Sequence, residues 1–325
     1  MDMKIIGFSL TDKCNASCEV CCFQCNPHGL FLVDEYVAKR YIDEGAKTGT
    51  VRNLYFSGGE PLLFPETLGR LARYALDQYG IHSLVVTNGF WGADIERGMP
   101  MMRELAECGV TNVRISADLY HQKYVPADAV RGALRIAHDL GVLSHVTVMD
   151  VKGHPNIRAT IDLLRPEIYL APFIAWYPLY LPEAVLAGKR LGIGRQDLEE
   201  PIPWGACRCR DFIGPRLFWD GHIYACCSQF THEIPRMRVG KVGETTLIEA
   251  WKRVNRDPIL DVIHRVGVTW LAERALELGY PIRDRYTSEC ELCRDLLCNA
   301  ELVSKLEPLA LKESQRLRLA GLFEH

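Results

Sequence analysis

A chain of 325 residues with 48% apolar and 24% charged side chains can bury a large core or fold as two domains, and its composition is that of a globular protein. The formal charge of -3 gives no support to wholesale polyanion binding, and no basic stripe with interleaved aromatics marks a nucleic-acid surface. Thirteen cysteines, an odd number, exclude an all-disulfide scaffold, and no window approaches the roughly 18 apolar residues of a membrane span.

From Met1-Asp2-Met3-Lys4 the chain enters a strand pattern at once, so we expect no signal peptide and a cytoplasmic setting. In that reducing setting clustered thiols bind metal or react. Strands are predicted over 5–10, 53–57, 83–87, 112–116, 145–149 and 168–171. Amphipathic helices are predicted between them near 34–45, 65–79, 95–108, 126–141 and 155–164, with Pro65 and Pro126 suited to a first helical turn. Strand, crossover helix and strand in repetition imply a mostly parallel sheet. Six such units fall short of the eight of a closed barrel, so the expected class is α/β, as a partial (β/α)6 barrel or an open sheet.

After about residue 175 the pattern changes. Pro178, Pro182, Pro201 and Pro203 punctuate the chain, and a β-hairpin is expected over 216–225 around Asp220-Gly221. Helices are expected over 246–256, over 258–278 and from 301 onward. The predicted organisation is a core over 1–175, a linker over 176–205, a cysteine-bearing domain over 206–300 and a terminal helix over 301–325.

Cys14, Cys18 and Cys21 follow the first strand with the spacing C-x3-C-x2-C. Three thiolates on one short loop suit three irons of a [4Fe–4S] cube and leave the fourth iron open, whereas zinc, the competing metal, needs a fourth ligand or a water. Cys22 and Cys25 are surplus to that set and are expected as packed or reactive thiols. The second strand ends in Ser57-Gly58-Gly59-Glu60-Pro61, at the sheet end where α/β proteins bind ligands. Two glycines there would let the backbone approach a ligand closely.

With this pairing the chain resembles the radical S-adenosylmethionine (SAM) enzymes over residues 4–175. The resemblance implies that Cys14, Cys18 and Cys21 hold a [4Fe–4S] cluster whose open iron takes the amino and carboxylate groups of SAM. It further implies that Gly58, Gly59 and Glu60 hold the methionine amino group and that Val20 lies close to the cofactor. Asn88, within Thr87-Asn88-Gly89, and Ser116 and Asp118 match strand-end segments lining the SAM and substrate cavity. His121 and Tyr124 follow Asp118 at the expected rim, as substrate contacts or as loop packing.

The later cysteines are Cys207, Cys209, Cys226, Cys227, Cys290, Cys293 and Cys298. Their spacings resemble the SPASM and twitch extensions of radical SAM enzymes, which carry auxiliary iron–sulfur clusters. The cysteines of a longer SPASM pattern stop after Cys298, so one auxiliary [4Fe–4S] cluster is expected, on Cys209, Cys226, Cys290 and Cys293. Cys207 is an alternative to Cys209, and Cys298 to one of the late pair. Adjacent residues on a strand face opposite ways, so Cys227 is expected either as a buried packing thiol or as a hydrogen-atom donor turned into the cavity.

The run Cys-Asn-Ala-Ser-Cys-x2-Cys-Cys-Phe, the following Cys-x-Pro-His and the Cys226-Cys227 pair look like peptide epimerases of epipeptide pathways. That resemblance implies hydrogen abstraction from Cα of a ribosomally made precursor peptide, return of hydrogen by Cys227 to give a D-residue, and an external one-electron reductant such as flavodoxin or ferredoxin. The alternatives are a thioether or carbon–carbon crosslinking enzyme, a small-molecule dehydrogenase, and a non-catalytic iron–sulfur electron carrier. The last leaves Gly58–Pro61 unexplained. Neither a nucleic-acid nor a membrane partner is expected. The aromatic and proline-rich stretch 176–182 is a candidate peptide groove or a packed linker.

Overall fold

The computed structural model describes residues 1–150, 156–178, 202–207, 209 and 214–320. Among them, no helix is long and apolar enough to cross a membrane. The chain divides into two compact units, one of Lys4–Glu199 with Leu217–Gly221, the other of Met1–Met3, Glu200–Arg216 and His222–His325.

The first unit is built on six parallel strands, β1 (Ile5–Thr11), β2 (Asn53–Gly58), β3 (His82–Thr87), β4 (Val110–Ser116), β5 (Leu143–Asp150) and β6 (Phe173–Pro178). They pair in chain order, each with the next. Between them run helices α1 (Glu35–Ala46), α2 (Pro65–Tyr79), α3 (Ile95–Glu107), α4 (Ala127–Asp139) and α5 (Asn156–Leu164). In β1, Ile6 through Thr11 are all buried, the mark of a parallel strand covered on both faces. The helix starts follow local chemistry. Asp34 and Asp94 accept from backbone N–H groups two or three residues into α1 and α3, and Pro65 occupies the first turn of α2. Helix order and strand order send every β-to-α connection to one end of the sheet, and the cysteine loop and the Gly-Gly turn lie there.

One strand is corrected. Residues 167–170 form a 3-10 turn after the Arg165–Pro166 peptide, and the sixth strand is β6, starting at Phe173. The apolar run at 168–171 is short enough to read as either, and periodicity alone does not separate the two. Pro155 and residues 179–182 of the aromatic, proline-rich stretch lie outside the described residues.

In the second unit, β9 (His222–Tyr224) and β10 (Arg238–Lys241) pair antiparallel, as do β7 (Ile202–Pro203) and β11 (Arg285–Tyr286). The expected hairpin turn, in the stretch Leu217–Gly221 that belongs to the first unit, is present: after β8 (Arg216–Leu217), Gly221 N–H donates to Phe218 O at 3.1 Å. Five helices follow, α6 (Leu247–Arg256), α7 (Pro258–Val266), α8 (Thr269–Glu277), α9 (Glu289–Leu297) and α10 (Ala300–Ala320). The predicted helical stretch 258–278 is therefore two helices. Gly267, with φ 97°, breaks it in a conformation that a side chain disfavours. Leu247, Trp251, Ile259, Ile263, Leu271 and Leu306 supply its buried apolar contacts. Asp261 of α7, buried, accepts from Ser314 Oγ (2.6 Å) and Arg318 Nε (3.1 Å) of α10 and from Arg265 Nε (3.0 Å).

Candidate metal centres

The loop after β1 carries Cys14, Cys18 and Cys21. Its backbone is closed on itself by Cys21 N–H to Cys18 O (3.1 Å) and Cys14 N–H to Asn26 O (3.0 Å). Burial pushes the Cys14 thiol up to about 12, and burial pushes Cys18 up too, with the sulfurs of the other two cysteines adding to the shift. Cys21 goes the other way, because the Cys25 thiol donates to its sulfur; Cys25 is correspondingly raised. Cys25 is buried and Cys22 exposed. Gln24, with φ 53°, turns the backbone between them. Val20 is buried beside the three.

The donor set fits a cluster better than a single ion. Among the described residues, no three His, Cys, Asp or Glu side chains close on one metal position, while mononuclear zinc needs four donors at about 2.0–2.3 Å. An iron–sulfur cluster spreads its thiolates around a body of several atoms. Three buried or half-buried thiols that sense one another's charge across one loop suit that arrangement.

The Gly58-Gly59 turn has a physical reason within the chain itself. A Cβ on Gly58 would stand 2.2 Å from Thr11 O, and one on Gly59 2.1 Å from Lys13 O. Gly59 N–H donates to Thr11 O (2.7 Å) and Glu60 N–H to Lys13 O (2.8 Å). The close approach is therefore to the backbone that leads into the cysteine loop, and the glycines seat that loop on β2. Glu60 is 1% exposed and accepts from Leu62 N–H, Thr87 Oγ1–H (2.9 Å) and Asn88 N–H (2.7 Å). Burial pushes its carboxyl up to about 7. Glu60 thus ties the end of β2 to the end of β3.

Asn88 reaches the loop directly, its Nδ2 donating to Asn15 Oδ1 at 2.7 Å and lying 3.9 Å from Cys14 Sγ. Ser116 is half-buried at the end of β4, with Thr147 Oγ1 3.5 Å from its hydroxyl. Asp118 is fully buried and accepts from Tyr120 N–H, His121 N–H, Met149 N–H and the His121 ring at 2.8 Å. Burial opposes its charge, but the imidazole and these donors hold the carboxyl below its ordinary range; the same pairing raises His121 against the pull of burial. Sequence reading missed Asn15, Glu19, Lys123 and Asn156. Asn156 Oδ1 accepts from Leu119 N–H (2.9 Å), and a buried Asn at a helix start was the available signal.

In the second unit Cys209, Cys226, Cys290 and Cys293 line one small, tight cavity together with Ser228, Thr231, Ile234 and Met237. Three chain segments meet there, the last contributing one turn of α9, whose 290 and 293 positions share a face. Burial pushes Cys290 up to about 12 and raises Cys293; Cys209 and Cys227 add to the first shift, and Cys209, Cys290 and Cys298 to the second. Cys207 is buried elsewhere, 3.9 Å from Pro203 O, and Cys298 is exposed against Glu233 O at 3.4 Å. Neither lines the cavity.

The expectation for Cys226 and Cys227 is corrected in one respect. β9 ends at Tyr224, so strand alternation does not send the two thiols to opposite faces. The Cys227 thiol instead reaches Cys226, raising it together with burial. Cys227 is exposed and outside the cavity lining, while Cys226 is buried within it.

Residues 8–164, just under half of the chain, match the Radical SAM superfamily. Over 94% of this chain and 95% of the other, it is 23% identical to YydG of Bacillus subtilis (strain 168), a protein named for peptide biosynthesis. The fold is similar to native anSMEcpe with bound AdoMet and a Cp18Cys peptide (TM-score 0.53, 14% identity, 97% of this chain and 99% of that one). It is also similar to Streptococcus suis SuiB bound to S-adenosylmethionine (TM-score 0.53, 12% identity, 81% and 68%).

Proposed function

We propose that the protein is a peptide epimerase of the radical SAM type, converting an L-residue of a ribosomally made precursor into its D-form. The observation that carries this reading is the division of the second cysteine set: four thiols line one cavity and Cys227, adjacent in sequence to one of them, stands outside it exposed. Similarity to YydG along nearly the whole chain supports a peptide as substrate.

Cys14, Cys18 and Cys21 would hold a [4Fe–4S] cluster with SAM near Val20, Gly58, Gly59, Asn88 and Ser116. Glu60 and Asp118 brace the strand ends around it through the donors given above. Bound there, cluster and SAM supply a 5′-deoxyadenosyl radical able to take hydrogen from Cα. Cys209, Cys226, Cys290 and Cys293 would hold a second [4Fe–4S] cluster, which suits re-reduction of a neighbouring thiyl. Cys227 gives its hydrogen to Cα and sets the new configuration. The electron comes from an external carrier such as ferredoxin or flavodoxin.

The test is incubation of reduced, reconstituted protein with SAM in D2O and a precursor peptide encoded beside its gene. One deuterium at an inverted Cα is expected. A loss of two hydrogens from the peptide would contradict epimerisation and point to crosslinking or desaturation.

A further inference from the structure

Cys18 is the middle ligand of the triad, and the residues on either side of it are both held by one short segment. Tyr124 Oη–H donates to Ser17 O at 2.8 Å, and Lys123 Nζ donates to Glu19 Oε1 at 2.6 Å. The segment is itself rigid. Residues 121–123 form a single 3-10 turn, Tyr124 and Val125 N–H both donate to His121 O at 2.9 Å, and Val125 is 2% exposed. Upstream, the buried Asp118 carboxylate collects three backbone N–H groups and the His121 ring, fixing where the turn leaves β4. Position is therefore handed from the end of β4, through Asp118 and the turn, to the two flanks of Cys18.

As surface contacts these two bonds add little to folding. Tyr124 is 42% exposed and the Lys123 and Glu19 side chains are 49% and 21% exposed, and an exposed ion pair is worth about 0–1 kcal/mol. Their placement is better explained by the site. A three-thiolate loop has no fourth protein ligand to average out an error in one sulfur, and groups that orient metal ligands matter far beyond their own bond energy. We infer that Lys123 and Tyr124 are positioning residues for Cys18, holding Glu19 and Ser17 so that its sulfur stands in register with Cys14 and Cys21. This rests on the triad holding a cluster, as proposed above.

The test uses full-length, anaerobically reconstituted protein and reads iron, not turnover. Iron release to a chelator and the electron paramagnetic resonance spectrum of the reduced protein, with and without SAM, are compared for wild type, Y124F, K123E, E19K and the charge swap E19K/K123E. In Y124F and K123E the irons of the triad are expected to leave about tenfold faster and the SAM-dependent spectral change to be altered, as for other groups that orient metal ligands. The irons of the second set should leave at the wild-type rate, and E19K/K123E should return release towards wild type. Wild-type release and spectra in both single variants would overturn the inference, as would faster release from both sets alike, the mark of general loosening. Wild-type iron content in a C14A/C18A/C21A variant would instead overturn the triad reading on which it rests.

Discussion

The two cysteine sets solve one problem in opposite ways. The N-terminal triad lies within eight residues of one loop, and the fold acts on that loop from outside, through Gly58-Gly59 beneath it, Asn88 on Asn15 and Lys123 and Tyr124 on the flanks of Cys18. The C-terminal four come from three separated segments, and the fold itself brings them together around one small cavity. A local set of three donors leaves a position for another ligand; a closed set of four does not. On the proposed function, the first arrangement would carry the chemistry and the second electron storage or transfer.

Removing the triad gives the largest expected effect. C14A/C18A/C21A should release 5′-deoxyadenosine from SAM at background level by liquid chromatography, and cleavage at the wild-type rate would break the contrast. Next comes C227A, which should keep its iron and still cleave SAM while D-residue formation falls to background. If its iron drops instead, Cys226 and Cys227 have been assigned in reverse. A smaller effect is expected for C207A and C298A, whose thiols lie outside the cavity lining; both should retain wild-type iron, and loss in either would redraw the second set.

The smallest effect concerns the frame of the second unit. Burial opposes the charge on Asp261, yet Ser314, Arg318 and Arg265 hold its carboxyl below the ordinary range. Its stabilisation is thus present above the unfolded carboxyl value near pH 4 and lost as pH falls through the lower folded value. D261N should lower stability by roughly 1.5–3 kcal/mol, the worth of hydrogen bonds to a charged group. Denaturant midpoints near neutral pH measure this directly, and the difference from wild type should shrink in acid.

The same contrast explains what the sequence could reveal. The C-x3-C-x2-C triplet was legible because its three cysteines lie close together in sequence. Five of the six strands were legible because short β-branched and apolar runs alternate with helical periodicity, β1 buried from Ile6 onward and β3 and β4 largely on alternate residues. The last strand was displaced, since 168–171 is too short a run for its period to decide between turn and strand. The four cavity cysteines were legible as residue types, but their separation from Cys207 and Cys298 needed the fold. Lys123 and Glu19 are 104 residues apart and carry no pattern of their own. The Gly-Gly turn was found as a place for close approach, and the structure adds that the approach is to Thr11 and Lys13 of the neighbouring backbone.

Iron counted per chain after reconstitution tests the division most directly. Wild type should hold about eight irons, and C14A/C18A/C21A and C209A/C226A/C290A/C293A about four each, from two independent [4Fe–4S] sites. A wild-type count near four, or a variant that keeps the full wild-type content, would contradict the account.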